Sequence, residues 1–326
     1  MSDNEQIDSF RKNGFVIIPD VITTEEVQQF RDLMYEITEA MPADKRVLTI
    51  ADTFNDKRLL DILIRVQFND KLVSTISKIV NAKVVYVNDI TVQCNMFGIA
   101  AGGGWHRDCG SEVNTVTNKY LYESDYTFGK VGIYLQNNTA EFGGGITVIP
   151  GSHKAFRFFG GRSVAQLGYR FAMNRISLFN ARRFGRELMV PIKAGSAVFF
   201  DSRLLHHSTD PKRLPLDESD KSNCRRIRNE VIGREHAKYV FYWDACAVHN
   251  SGQFLDHLGK RAITEEVSIS KRTGVEAVYS EQLSYYYPND YPETYVNRAQ
   301  QANAVSIATL DKHTADLWKQ VRDSFL

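Results

Sequence analysis

A chain of 326 residues, 43% hydrophobic and 24% charged, has the composition of an ordinary soluble globular protein and the length for one large domain or two modest ones. Its formal net charge of +1 gives no global reason to bind nucleic acid. Cys94, Cys109, Cys224 and Cys246 are scattered with no CxxC pair, which argues against a zinc knuckle or a disulfide framework, and no run of about 18 apolar residues marks a membrane span.

Residues 5–12 read as a short helix that Asn13-Gly14 ends, and 15–19 as a buried strand. Thr23-Thr24-Glu25-Glu26 is a helix start, and the helix it opens puts Val27, Phe30, Leu33 and Met34 on one face. Helical spacing returns over 56–80 through Leu59, Leu60, Leu63, Ile64 and Val66, then Leu72, Ile76 and Ile79. From residue 83 the period becomes strand-like, with β-rich runs at 84–87, 90–96, 129–135, 145–150, 188–192, 196–200 and 238–243. Many short strands between Gly/Pro turns predict a β core, a jelly roll or barrel, with the early helices packed outside it.

Residues 209–233 form a polar, charged insert, and loops of that length are usually functional or disordered. The tail beyond Trp243 carries an aromatic patch at 285–292 and a predicted helix over 309–323. The expected organisation is a single domain, 1–326: helical support over 1–82, a β core over 83–245 that carries the insert, and an extension over 246–326. The polar start, Met1 to Glu5, lacks a secretory pattern, so a reducing, cytoplasmic setting is the expectation.

The chemistry concentrates in Trp105-His106-Arg107-Asp108, just after a glycine run. In an extended segment residues i and i+2 share a face, so His106 and Asp108 can close on one metal ion. His206-His207 comes after a strongly β-like run, and only one of these neighbours can join the same ion. Two histidines and one carboxylate with open positions are the ligand set of non-heme Fe(II) oxygenases. Thr91, Gln93 and Asn95 share one face of their strand, a polar face that either meets solvent or lines a site.

Residues 141–153, Glu-Phe-Gly-Gly-Gly-Ile-Thr-Val-Ile-Pro-Gly-Ser-His, lie downstream of the His-x-Asp. Phe10-Arg11-Lys12-Asn13-Gly14-Phe15-Val16-Ile17-Ile18 precedes Thr24-Glu25-Glu26-Val27 near the start. With these segments the chain resembles the phytanoyl-CoA dioxygenase family of Fe(II)/2-oxoglutarate oxygenases over roughly residues 6–245. The resemblance implies a mainly β fold with flanking helices around a double-stranded β-helix, the jelly-roll or cupin-like core. It implies Fe(II) held by His106, Asp108 and His206, where His206-His207-Ser208 fits the family's His-x-Ser frame. It implies 2-oxoglutarate and O2 as co-substrates, with release of succinate and CO2. Asp108 favours hydroxylation or a related oxidation, since a small residue stands there in halogenating relatives.

A guanidinium that forks onto the distal carboxylate of 2-oxoglutarate is the natural partner for it. The family places this Arg at the start of the strand after the distal histidine. Arg234 stands there, after a gap of 28 residues that is wider than the family's, so the insert must loop out. Arg213, Arg226, Arg228 and Lys238 are its rivals. Gln93 and Asn95 are expected to touch the co-substrate, Trp105 to pack, and His153 to be structural.

Basic clusters at Arg157 and Arg162, at Arg182, Arg183 and Arg186, and at Arg225, Arg226 and Arg228 are either solvated surface or the mark of an anionic substrate. The insert and the tyrosine-rich tail are candidates for a lid. The expected partner is a small metabolite or natural-product intermediate, with no nucleic acid and no membrane. Two other readings stand beside the oxygenase: a non-catalytic metal-binding β-barrel module, and a cupin-type dioxygenase or isomerase that does without 2-oxoglutarate.

Overall fold

A computed structural model describes residues 2–42, 47–87, 90–94, 105–109, 125–154, 187–209, 226–253 and 291–306. Helix α1 (Asp3–Asn13) opens on a reciprocal cap: the Ser2 hydroxyl accepts from the Glu5 N–H, and the Glu5 carboxylate accepts from the Ser2 N–H. Gly14 ends it at φ +85°, in the left-handed region. Strand β1 (Phe15–Ile18) is next, and Thr23 with Glu26 caps α2 (Thr24–Ala40) in the same way. Then come β2 (Val47–Thr49) and α3 (Ile50–Asn55). The helical stretch predicted over 56–80 is two helices, α4 (Lys57–Gln67) and α5 (Asp70–Val80). Asn69 divides them, because its side chain accepts from the Leu72 N–H as a new N-cap.

The next strands are β3 (Val84–Val87), β4 (Ile90–Cys94), β5 (Gly129–Tyr134), β6 (Ile146–Val148), β7 (Leu188–Met189), β8 (Ala197–Asp201), β9 (His206–Ser208) and β10 (Tyr239–Ala247). A last helix, α6 (Glu293–Gln301), leads to β11 (Val305–Ser306). The larger sheet runs β1-β8-β5-β10-β3-β11, with β4 also on β10 and β2 on β4; the smaller runs β7-β6-β9. β2 is a second strand before residue 83, beyond the one expected at 15–19, and it pairs antiparallel with β4.

β10 is the spine of the larger sheet. It takes β5 on one edge and β4 then β3 along the other, and all nine of its residues are buried. Such a strand needs cover on both faces, and its period of two divides it. Phe241, Trp243 and Ala245 pack with apolar residues of α2, α4 and α5. Val240 and Tyr242 pack with Tyr134, Val198 and Phe200 and with Ile146 and Val148 of the smaller sheet. Two facing sheets, antiparallel apart from the β11–β3 pair, with helices on the outer face of the larger one are the jelly-roll core with flanking helices.

In the tail, the Tyr295 hydroxyl donates to Gln67 Oε1 (2.7 Å) and Arg298 to the Phe68 carbonyl (2.9 Å). Tyr291 and Tyr295 both pack on Phe54. Residues 291–301 therefore dock on the helical side of the larger sheet and β11 joins its edge, so this part of the tail does not cover the smaller sheet as a lid. Residues 285–290, the helix predicted over 309–323 and insert residues 210–225 lie outside the described residues. No described helix is long and apolar enough to cross a membrane.

His153 joins the first helix to the core. It is buried, and a Cβ on Gly14 would lie 2.5 Å from its Nδ1. That nitrogen has no hydrogen-bond partner among the described residues. Burial pushes the imidazole pKa below its ordinary value; Asp201 opposes this and Arg203 adds to it. A depressed pKa in the folded state makes the stabilisation complete above the unfolded value, about 6.5, and progressively lost as the pH falls below it. The metal-free protein should thus lose more stability between pH ~7.5 and ~5 than a His153→Gln variant does. Urea unfolding at both pH values measures the difference, and equal losses would show that His153 does not contribute.

Candidate metal centre

Asp201 closes β8 and leads into a tight turn. Its carboxylate accepts from the Arg203 backbone N–H (2.8 Å) and from the Arg203 side chain (2.9 and 2.6 Å), while the Leu204 N–H donates to the Asp201 carbonyl (2.8 Å). This turn delivers His206 at the first position of β9. His106 lies across from it in an antiparallel bridge, with N–H to carbonyl distances of 2.9 and 3.0 Å. The Cys109 N–H donates to the Ser202 carbonyl (3.0 Å), which ties the far end of the His-x-Asp segment to the same turn.

Asp108 sits between the two imidazoles, Oδ1 3.6 Å from His106 Nε2 and Oδ2 3.6 Å from His206 Nε2. These separations are too long for hydrogen bonds. The ligand atoms of all three residues lie within 4.8 Å of one another, so small side-chain movements would bring them to one ion with bonds of about 2.0–2.2 Å. The side chain of His106 is 48% exposed and that of His206 only 6%, so the group opens on the His106 side.

The His206 ring is set up as a ligand. Its Nδ1 lies 3.0 Å from the Leu204 carbonyl, which can only accept, so Nδ1 carries the proton and Nε2 keeps a lone pair for a metal. Burial pushes its pKa down to about 4, against the opposing charge of Asp108, so the ring is neutral at neutral pH. Phe200 packs edge-on against it at 4.8 Å. His207 turns the other way, its ring 4.4 Å from that of Trp105, which packs on Ile149 and Leu205.

Arg234 is not brought to this group. Its side chain is exposed, its Nη2 lies 2.5 Å from Asp32 Oδ1, and its guanidinium stacks over Tyr35 at 4.1 Å. The cause is local: the chain returns from the insert along α2, through a π-helical stretch (Ile227–Ile232) and a 3-10 turn (Arg234–His236), and the arginine meets the acid and the ring on that helix. Of its rivals, Arg226 is exposed and pairs with Glu230 (3.2 Å), and Arg213 lies outside the described residues. Lys238 is different. It is 1% exposed, and its Nζ lies 3.5 Å from the hydroxyl of Ser208, two residues beyond His206 on β9.

Lys238 is one of the rivals that the sequence left open beside Arg234. Its parity was a usable signal: Lys238, Val240 and Tyr242 alternate with the helix-facing residues of β10. The same parity brings Tyr134 and Tyr242 inside, their hydroxyls 2.9 Å apart. Lys130 and Asp244, opposite each other across β5 and β10, form a buried pair at 3.9 Å. Gln93 lies in register with Val240, and Asn95 is outside the described residues.

Comparison with known proteins bears on this arrangement. Residues 10–212, more than half of the chain, match the family model of Phytanoyl-CoA dioxygenase (PhyH). Among solved structures, HygX from Streptomyces hygroscopicus, with nickel and 2-oxoglutarate bound, is 16% identical with a TM-score of 0.49, over 74% of this chain and 86% of that one. EctD from S. alaskensis with bound Fe is 17% identical at 0.47, over 77% and 78%. The non-heme alpha ketoglutarate dependent carbocyclase SnoK from nogalamycin biosynthesis is 15% identical at 0.47, over 76% and 85%. No curated protein matches the sequence. The extent of the family match decides the assignment: the chain belongs to the phytanoyl-CoA dioxygenase family and is a non-heme Fe(II)/2-oxoglutarate-dependent oxygenase.

Proposed function

We propose that the protein hydroxylates or otherwise oxidises a small metabolite or natural-product intermediate, with His106, Asp108 and His206 as the iron ligands and Lys238 with Ser208 receiving the distal carboxylate of 2-oxoglutarate. The observation that carries the reading is the convergence of two imidazoles and a carboxylate within 4.8 Å, their donor type matching Fe(II). When bound, Fe(II) would let O2 act as the oxidant, with two electrons from 2-oxoglutarate, which leaves as succinate and CO2, and two from the substrate.

The protein's own contribution is to hold and shield. The Leu204 carbonyl fixes the His206 tautomer, and Phe200 and Val148 keep the barrel beside it apolar. An ammonium is a compact positive charge for which a carboxylate is a natural partner, and the Ser208 hydroxyl beside it adds a second donor. Ser208 and His206 lie two apart on β9, so one molecule can extend from the metal along that strand towards Lys238. Gln93, opposite Val240 on β10, is a further co-substrate contact in this reading.

Succinate release tests it. Under air, the protein with Fe(II) and 2-oxoglutarate should form succinate, faster when a metabolite library supplies the substrate, and His106→Ala should form none above background. A binding module would hold iron yet yield no succinate with any compound, and that outcome would overturn the proposal.

A further inference from the structure

We propose that Arg31 is a positioning residue for the co-substrate: from outside the barrel it fixes the backbone that aims Lys238 at the distal carboxylate of 2-oxoglutarate. This role rests on Lys238 receiving that carboxylate.

Arg31 lies on α2, and its guanidinium makes three hydrogen bonds, all to carbonyls. One nitrogen, Nη1, donates to Leu135 and to Ala237 (3.0 Å each), and Nη2 donates to Arg234 (2.7 Å). The acceptors belong to two segments, the end of β5 and the approach to β10. Ala237 directly precedes Lys238. On the other flank the Tyr239 N–H donates to Gln136 Oε1 (2.8 Å), and the Tyr239 carbonyl accepts from the Leu135 N–H (3.1 Å). Both peptides around Lys238 are therefore held, and Arg31 supplies one of the two grips.

Parity turns this grip into aim. Tyr239 points outward, its ring 5.6 Å from the Arg31 guanidinium and its hydroxyl 3.3 Å from Thr38 Oγ1. Lys238 must then point inward, where Ser208 lies. The clamp has a mechanical reason. The chain arrives here through the π-helical stretch and the 3-10 turn, short forms with poor hydrogen-bond geometry that do not by themselves fix the path of the next residues. A planar guanidinium can bridge three carbonyls at once, which a lysine's compact ammonium cannot reproduce. Burial lowers the Arg31 pKa, with Tyr239 and Asp32 acting in the opposite direction, so the group is partly desolvated.

The test separates aim from mere support. 2-Oxoglutarate and 2-oxopentanoate share the keto-acid end, but only the first has a distal carboxylate. Each is titrated calorimetrically, without oxygen, into protein loaded with Mn(II). Arg31→Ala should lower the affinity for 2-oxoglutarate by about tenfold or more. It should leave the affinities for 2-oxopentanoate and for Mn(II) unchanged, and Arg31→Lys should fall between. Lys238→Met should erase the preference for 2-oxoglutarate, and adding Arg31→Ala to it should change nothing further. If Arg31→Ala weakens both keto acids equally, or neither, while Lys238→Met erases the preference, Arg31 is only structural and the proposal fails while Lys238 stands. If Lys238→Met keeps the preference, the assignment of Lys238 fails and takes the Arg31 proposal with it. Should Arg31→Ala not fold, Arg31→Gln and Arg31→Lys carry the same comparison.

Discussion

Replacing His206 by alanine is expected to weaken Fe(II) binding by more than about 100-fold and to end succinate formation. Losing a residue that merely orients a ligand typically costs about 10–100-fold, and losing the ligand itself costs more. Backbone hydrogen bonds to His106 hold the residue, and the Nδ1 bond to the Leu204 carbonyl, the edge of Phe200 and the neighbouring His106 ring hold the imidazole. A pKa near 4 keeps the ring neutral, so metal does not have to displace a proton at neutral pH. His207 cannot substitute, because it faces away and lies against Trp105. His207→Ala should accordingly bind Fe(II) as the wild type does. Anaerobic Fe(II) titration of both variants checks the pair of expectations; a reversed order would move the ligand to His207.

The second large effect is expected at Asp201, which no reading of the sequence singled out. Asp201→Ala should destabilise the fold by about 3–5 kcal/mol, the usual consequence of leaving one member of a buried ion pair unmatched. Both side chains of the Asp201–Arg203 pair are 3% exposed, with two charge-assisted bonds between them, and the Arg203 guanidinium lies 3.8 Å over the Tyr126 ring. The pair also shapes the turn into β9, so the same variant should bind Fe(II) more weakly. Replacing both partners with apolar residues should recover much of the stability, since no buried charge is then stranded. Urea unfolding measures both variants. A loss below about 1 kcal/mol for the single change would mean that the turn is held by its backbone alone.

The legible parts of this protein were those in which local pattern and fold agree. Val27, Phe30 and Met34 announced the buried face of α2, and all three are in the core. The β-rich run at 238–243 announced a strand, although not its central place in the sheet, which depends on pairing with β3, β4 and β5 from distant sequence. His106 and Asp108 were legible because i, i+2 spacing is a local property. Their meeting with His206 depends on a bridge across 100 residues, and the family resemblance supplied that expectation rather than the spacing. Arg234 shows where local reasoning stops. Its place just ahead of the strand matched the family, although its gap from His206 did not, and an acid and a tyrosine on α2, some 200 residues away, claim the guanidinium. Lys238, four residues on, is buried, and the proposed reading gives it the role instead. Parity along β10 marks the face that Lys238 takes, but only the helix packed beneath the chain draws Arg234 away.

The most direct test of the iron and 2-oxoglutarate assignment is an anaerobic titration of the Fe(II)-loaded protein with 2-oxoglutarate, monitored by visible absorbance. A weak charge-transfer band should appear and saturate at one co-substrate per chain. It should need a much higher 2-oxoglutarate concentration in Lys238→Met, and it should be absent in His206→Ala. A wild-type protein that binds Fe(II) through these residues yet shows no band at any 2-oxoglutarate concentration would contradict it.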